Sequence, residues 1–339
     1  MTAITRRLLL IFSGLLLPAL CFSDSDKAQW LSYPDSLPVF DYSGDKLKQH
    51  WPELTKATFI AFPSADNLAE QAQRYPQLLD TNWNAPDSDS ANAQPQPVHP
   101  AVSQAINGDF QPLSAAVTQV WRFHFQGQFQ QAYELGIQLG PAGLIPAFYA
   151  RLMHTAFLQH DPQTRLHHYQ EIISYSEALL PLVPDHPDAL FGAAYAYARE
   201  LELLATSAAV GSGHLSIARD MLKEMQQQFP DRALYFAIEG ALQAGVVERV
   251  GSFLGRITYG STESGALTRF QKALTLENQL PVILNEYAIA LTRLDHKEYA
   301  GEIQQLLTQC AQLEVFSAEE ALNQQACQNK LSQLTLAGN

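Results

Sequence analysis

Small residues recur along this chain at one fixed interval, and that interval constrains the fold more than any other feature. Ala218, Leu222 and Met225 sit at +4 and +3 spacing, one stripe of a helix; Ala266, Phe270 and Ala273 repeat the stripe 48 positions later. Gly192 and Gly240 are also 48 apart, each 26 residues before its stripe, and a third copy begins at Ala300, 34 after Ala266. A small side chain at each crossing lets neighbouring helices nest. A constant period of this kind is the mark of stacked, self-similar helix pairs.

The surrounding pattern agrees. From about residue 102 onward apolar and small residues recur at three and four spacings, and turn signals arrive every 15 to 25 residues. Pro141, Pro146, Pro162, Pro184, Pro187, Pro230 and Pro281 fall near expected helix starts, where a missing N–H costs nothing. No stretch alternates with period two for long enough to make a strand. The expectation is an all-α, right-handed α-solenoid of about five helix pairs, closed by a terminal helix over Asn323–Leu334.

These residues carry a family likeness. Ala266, Phe270, Ala273 and the turn at Asn278 resemble the second helix of a tetratricopeptide repeat; Phe191-Gly192 with Tyr195, and the helix around Gly240, resemble its first. Gln126 to Ala132 resembles the turn between the two and the start of a second helix. The likeness covers roughly residues 102–315. It departs from the family where Asn278 replaces a proline, where the tryptophan position holds another residue, and in period, 48 against the usual value of about 34. The resemblance implies an α-solenoid with a binding role, and no conserved peptide groove. The surplus residues lie between first and second helices, at 205–213 and 250–262. Both stretches are glycine-rich and mostly apolar, and both should project from one edge of the stack.

Ahead of the repeats the composition changes. Met1 to Arg7 holds two arginines and no acid, Leu8 to Leu20 is apolar apart from Ser13, Gly14 and Pro18, and polar Asp24-Ser25-Asp26 follows. That order is a secretory signal peptide over 1–23, with cleavage after Ser23, or alternatively after Ala19. Lipidation at Cys21 is disfavoured by bulky Leu20. Residues 24–100 form an N-terminal segment rich in proline and aromatics, with short helices near 45–56 and 65–79, ending in a polar, proline-rich linker over Asn82–Pro100. The repeat domain is 101–339. The expected location is periplasmic or secreted, with no membrane span once the signal is removed. A formal charge of −13 disfavours nucleic acid and anionic lipid surfaces. In an oxidising compartment Cys310 and Cys327, in consecutive predicted helices, either close a disulfide or stay as two buried thiols.

No chemistry-bearing motif stands out. The zincin, P-loop and nucleophile-elbow patterns are absent from the sequence, and of the adjacent His167 and His168 only His167 with Glu171 makes a helical ligand pair, a pattern that usually marks a polar face. No catalytic residue, metal or cofactor is expected, and the chain reads as a non-enzyme. Charged residues inside apolar helices are the better lead: Arg199, Glu200 and Glu202, then Glu248, Arg249 and Arg256, with Glu200 and Glu248 again 48 apart. They form either ion pairs between helices or the polar lining of a ligand cleft, with Arg249 and Arg256 as anion hooks and Tyr195, Tyr197 and Tyr259 as walls. Arg199, Glu200, Glu248, Arg249, Arg256 and Tyr259 are therefore the candidate binding residues. The functional expectation is an exported scaffold binding an envelope protein or peptide. The alternative is a small-ligand-binding component of a periplasmic uptake system, with a cleft near 205–213 and 250–262.

Overall fold

The computed structural model describes residues 30–58, 60–81, 83 and 99–337. The signal-like segment, its cleavage position after Ser23, Cys21 and nearly all of the 82–100 linker lie outside those residues. All regular structure among the described residues is helical, without a strand.

Short helices α1 (Lys46–Gln49), α2 (Trp51–Leu54) and α3 (Ala65–Arg74) lie in the N-terminal segment. The larger body comprises α4 (Pro100–Ile106), α5 (Gln111–Phe125), α6 (Phe129–Gln138), α7 (Pro141–Met153), α8 (Pro162–Leu179) and α9 (Pro187–Leu203). After these come α10 (Thr206–Ser212), α11 (His214–Gln228), α12 (Ala233–Tyr259), α13 (Glu263–Leu276), α14 (Pro281–Asp295), α15 (Ala300–Gln312) and α16 (Ala318–Ala337). Proline opens α7, α8, α9 and α14, whose first N–H groups need no partner. Asp161 and Thr262 cap α8 and α13 by accepting from Thr164 N and Gly265 N. Pro146 is the exception: it lies inside α7.

The order of contacts is regular. Helices α5, α7, α9, α12, α14 and α16 touch one another in turn, and α16 returns to touch α5, closing a ring. Across that closure His124 Nε2 lies 3.3 Å from Glu319 Oε2. Each of α6, α8, α11, α13 and α15 packs against two consecutive ring members. The small-residue stripes are what bring the layers together. Ala218, Leu222 and Met225, like Ala266, Phe270 and Ala273, are completely buried. A Cβ on Gly240 would stand 2.7 Å from the Phe270 ring and 3.2 Å from Ala266 O, so α12 meets α13 backbone to side chain. At Gly192, by contrast, a Cβ would find nothing nearer than Tyr149 at 3.9 Å. Helices α6 and α7 also cross closely, backbone to backbone: a Cβ at Gly143 would lie 2.3 Å from Gly136 O.

Residues 30–81 do not form a separate unit on a tether; they are a strap laid across the ring. Hydrophobic burial drives this: Trp51 is buried edge-on to Trp121 and Phe125, and Trp30 sits 4.4 Å from the His154 ring with the Arg151 guanidinium 4.5 Å from the Trp30 ring centre. Polar contacts fix the register. Leu31 N donates to His154 Nε2 (3.0 Å), Arg122 Nε to Tyr42 O (2.8 Å), and Arg232 Nη1 to Thr58 O (2.7 Å). Tyr75 Oη donates to Asp185 Oδ1 (2.7 Å) and Tyr42 Oη to Phe316 O. Asp185, Arg232 and Phe316 stand just before α9, α12 and α16. From Tyr42 onward the strap therefore meets the starting ends of α9, α12 and α16, whereas Trp30 and Leu31 lie at the finishing end of α7.

Candidate functional site

Inside the ring is a cavity of about 1090 Å³. Thr58 of the strap borders it, as do Tyr149, Phe191, Ile238 and Leu242 from the ring helices. The two glycine-rich stretches border it as well. Residues 205–213 fold as α10 plus its C-cap Gly213, and Ala209, Val210 and Gly213 contribute to the lining. The second stretch prolongs α12 beyond a kink at Gly251, whose φ of 78° only glycine adopts without strain, and Thr258 and Tyr259 reach the cavity. Since the strap lies at the starting ends of α9 and α12 and these stretches at their finishing ends, the cavity has a floor and a rim.

Four of the six candidate binding residues border this cavity, and two do not. Arg199 is held by Glu202 (Nη1 to Oε2, 2.9 Å) and by Glu286 of α14, with Tyr195 beneath its guanidinium at 4.8 Å. Burial opposes its charge, but Glu202 and Glu286 outweigh that and hold the guanidinium firmly protonated. Arg293 of α14 completes the group, 2.9 Å from Glu202 Oε1 and 3.6 Å from Glu248 Oε2. Glu202 keeps a lowered pKa despite burial, because Arg199 and Arg293 both face it. Arg249 is not a free anion hook. Its two amino groups donate to Leu204 O (3.0 Å) and Glu202 O (2.8 Å), closing the last turn of α9, a favourable place for a cation. Tyr259 lines the rim and accepts from Arg219 Nη1 through its carbonyl.

Glu200 points away from the cavity. It is buried against His214 Nδ1 and accepts from Gln170 Nε2 at 3.2 Å. Its partner in the 48-residue register, Glu248, is exposed and faces Arg293, so equal spacing does not give equal environment. Arg256 is exposed on the arm after Gly251 and does not line the cavity. Of the aromatic walls, Tyr195 and Tyr259 border the space, whereas Tyr197 is buried outside it and donates to Glu177. Glu202, Glu286 and Arg293 were not among the candidates. Glu202 was visible beside Arg199, but Glu286 and Arg293 come from a helix some 90 positions away, which no local pattern reveals.

Glu171, the suggested partner of His167, accepts from Arg151 (2.8 Å) and Tyr133 (2.6 Å). His154 and His168 are buried near Arg151, and desolvation lowers their pKa values to about 4 and about 3. Asp188 is buried without a strong counter-charge, which raises it to about 7. Cys310 of α15 and Cys327 of α16 are bonded, with Cα atoms 6.2 Å apart. No helix among the described residues is long and apolar enough to cross a membrane. Comparison with protein-family models, curated proteins and solved structures finds no match.

Proposed function

We propose that this chain is an exported, tetratricopeptide-like solenoid that binds a small, elongated and largely apolar ligand in its central cavity, without catalysing a reaction. One observation carries the reading: a cavity of about 1090 Å³, bordered by Thr58 of the chain's own strap. Its size lies just above the range of ordinary ligand pockets, roughly 300–1000 Å³. The strap also favours a small ligand over an extended peptide, because Trp30, Trp51 and Thr58 already lie against the ring helices. The internal arginines are neutralised by carboxylates within the ring, which suits a scaffold better than a reactive centre.

Titration of the full chain with Nile red, followed by displacement with dodecanol, tests this. Ala241→Trp, which projects a large side chain from the cavity wall, should weaken dye binding at least tenfold while leaving the denaturation midpoint near wild type. Undiminished binding in Ala241→Trp, or no saturable binding in the wild type, refutes the reading.

A partner protein remains a second reading because of one feature. Val210, Phe253, Leu254 and Ile257 are more than half exposed, all on the two rim stretches. An envelope protein docking on this rim would cover them. Capture from an envelope extract that Phe253→Ser with Ile257→Ser abolishes would support it, and capture indifferent to both substitutions would refute it.

A further inference from the structure

We propose that the cavity's ligand is a long-chain primary amine, whose ammonium head seats on the cavity floor against Glu319 and Tyr149 while its chain runs toward the rim. The inference rests on the cavity being a binding site and adds the chemical class of what enters it.

The carboxylates bordering the cavity differ in how they are matched. Glu202 and Glu286 pair with Arg199, Glu248 with Arg293, and Glu239 with Arg269 at 2.7 Å. Asp220 is exposed. Glu319, in the first turn of α16, pairs with neither arginine nor lysine among the described residues; it meets only His124 Nε2, through Oε2. The other ring nitrogen of His124 is buried without a partner, which suits a neutral imidazole with its hydrogen on Nε2. The charge of Glu319 is thus left without a counter-charge inside the ring. Burial raises the neighbouring Glu320 carboxyl to about 7, so Glu319 carries most of the negative charge on the floor.

On the strap side of the main cavity lies a second space of about 20 Å³, and Thr58, Tyr149, Glu319 and Asn323 border both. That volume holds one water-sized group, and an ammonium is of that size. Acceptors are in place for it. The Tyr149 hydroxyl is buried and unpartnered, on a ring 6.4 Å from that of His124. Thr58 Oγ1 donates to Thr55 O at 3.4 Å and keeps its lone pairs. With Glu319 these offer an acceptor for each of the three N–H bonds of an ammonium. A carboxylate head would meet Glu319 as a like charge, and a trimethylammonium is too large and has no N–H. Arg232, which donates to Thr58 O, is paired with Asp231, and neither it nor Lys56 borders either space. Above the floor, Leu234, Ile238, Leu242 and Val246 recur every four residues along α12 and line the cavity over about 18 Å of helix, a wall for a hydrocarbon chain.

Calorimetric titration of the full chain at pH 7 with dodecylammonium, dodecyltrimethylammonium, dodecanol and dodecanoate tests this. Dodecylammonium should bind at least tenfold more tightly than each of the others. In Glu319→Gln, which keeps an oxygen for His124, its advantage over dodecanol should fall below threefold, with dodecanol affinity unchanged. Asp220→Asn, which removes an exposed acid, should leave the advantage intact. If dodecanol or dodecyltrimethylammonium binds as well as dodecylammonium, or Glu319→Gln retains the advantage, the head-group assignment is overturned while the cavity stands. Should Glu319→Gln lose dodecanol as well, the wild-type ranking of the two cations decides. If none of the four binds, both are overturned.

Discussion

Gly192 and Gly240 are equivalent in the sequence repeat but not in space, and alanine at each position should move stability in opposite directions. Both lie inside helices, where replacing glycine by alanine gains about 1 kcal/mol of helix propensity. At Gly192 the new methyl would meet only Tyr149, at 3.9 Å, an ordinary contact, so most of that gain should survive. At Gly240 it would stand 2.7 and 2.8 Å from two Phe270 ring carbons, well inside the optimal separation of roughly 3.5–4.0 Å. Phe270 cannot easily give way: it is wholly buried and stacked on Tyr287 with ring centroids 4.7 Å apart. Overpacking of this sort costs about 1–3 kcal/mol, leaving Gly240→Ala destabilised by up to about 2 kcal/mol after the propensity gain. The two variants should therefore differ by the overpacking cost, about 1–3 kcal/mol. With a urea slope of about 3 kcal/mol/M, their unfolding midpoints should lie up to about 1 M apart, on either side of wild type. If Gly240→Ala proves as stable as Gly192→Ala, Gly240 does not mark a close approach of α12 to α13, and the role given to it is wrong.

Other perturbations test other parts of the molecule. Replacing Cys310 and Cys327 by serine opens a bridge across 17 positions and should cost about 3 kcal/mol by denaturant unfolding, whereas two free thiols in the chain starting at Asp24 would show that no bridge forms. Arg199→Met strands the buried Glu286 and should cost about 3–5 kcal/mol, most of it recovered by adding Glu286→Leu; simple additivity of the two would deny their coupling. The Asp188 carboxyl is raised from 3.8 to about 7, so its contribution to stability is complete below pH 4 and is lost as pH rises through 7. Asp188→Asn should therefore gain on wild type by up to a few kcal/mol between pH 4 and pH 7.5, and a pH-independent difference would refute the assignment.

Most of the helical layout can be read along the chain because the signals are local. The buried stripes at Ala218 and Ala266 and the prolines before α7, α8, α9 and α14 each act within a few residues of themselves. What escapes reading is set by distant register. The Gly136–Gly143 crossing falls outside the repeat interval, and docking of the strap depends on Trp30 and Trp51 finding surfaces made by α5 and α7. The site shows the same division. Arg199 and the rim stretches announce themselves as charge within apolar helices and glycine between them. Glu286 and Arg293 look like ordinary surface residues until α14 is brought beside α9.

Contact between α16 and α5 has a consequence for how this architecture could have grown. An open stack tolerates another unit at either end, since each new pair meets only the last. Here the final helix must land on the first, so adding or deleting a unit would leave the two ends unable to meet. The number of units is thereby as constrained as the staves of a cask, and drift is confined to the lengths of the pieces, which is where the 48-residue units depart from their shorter neighbours.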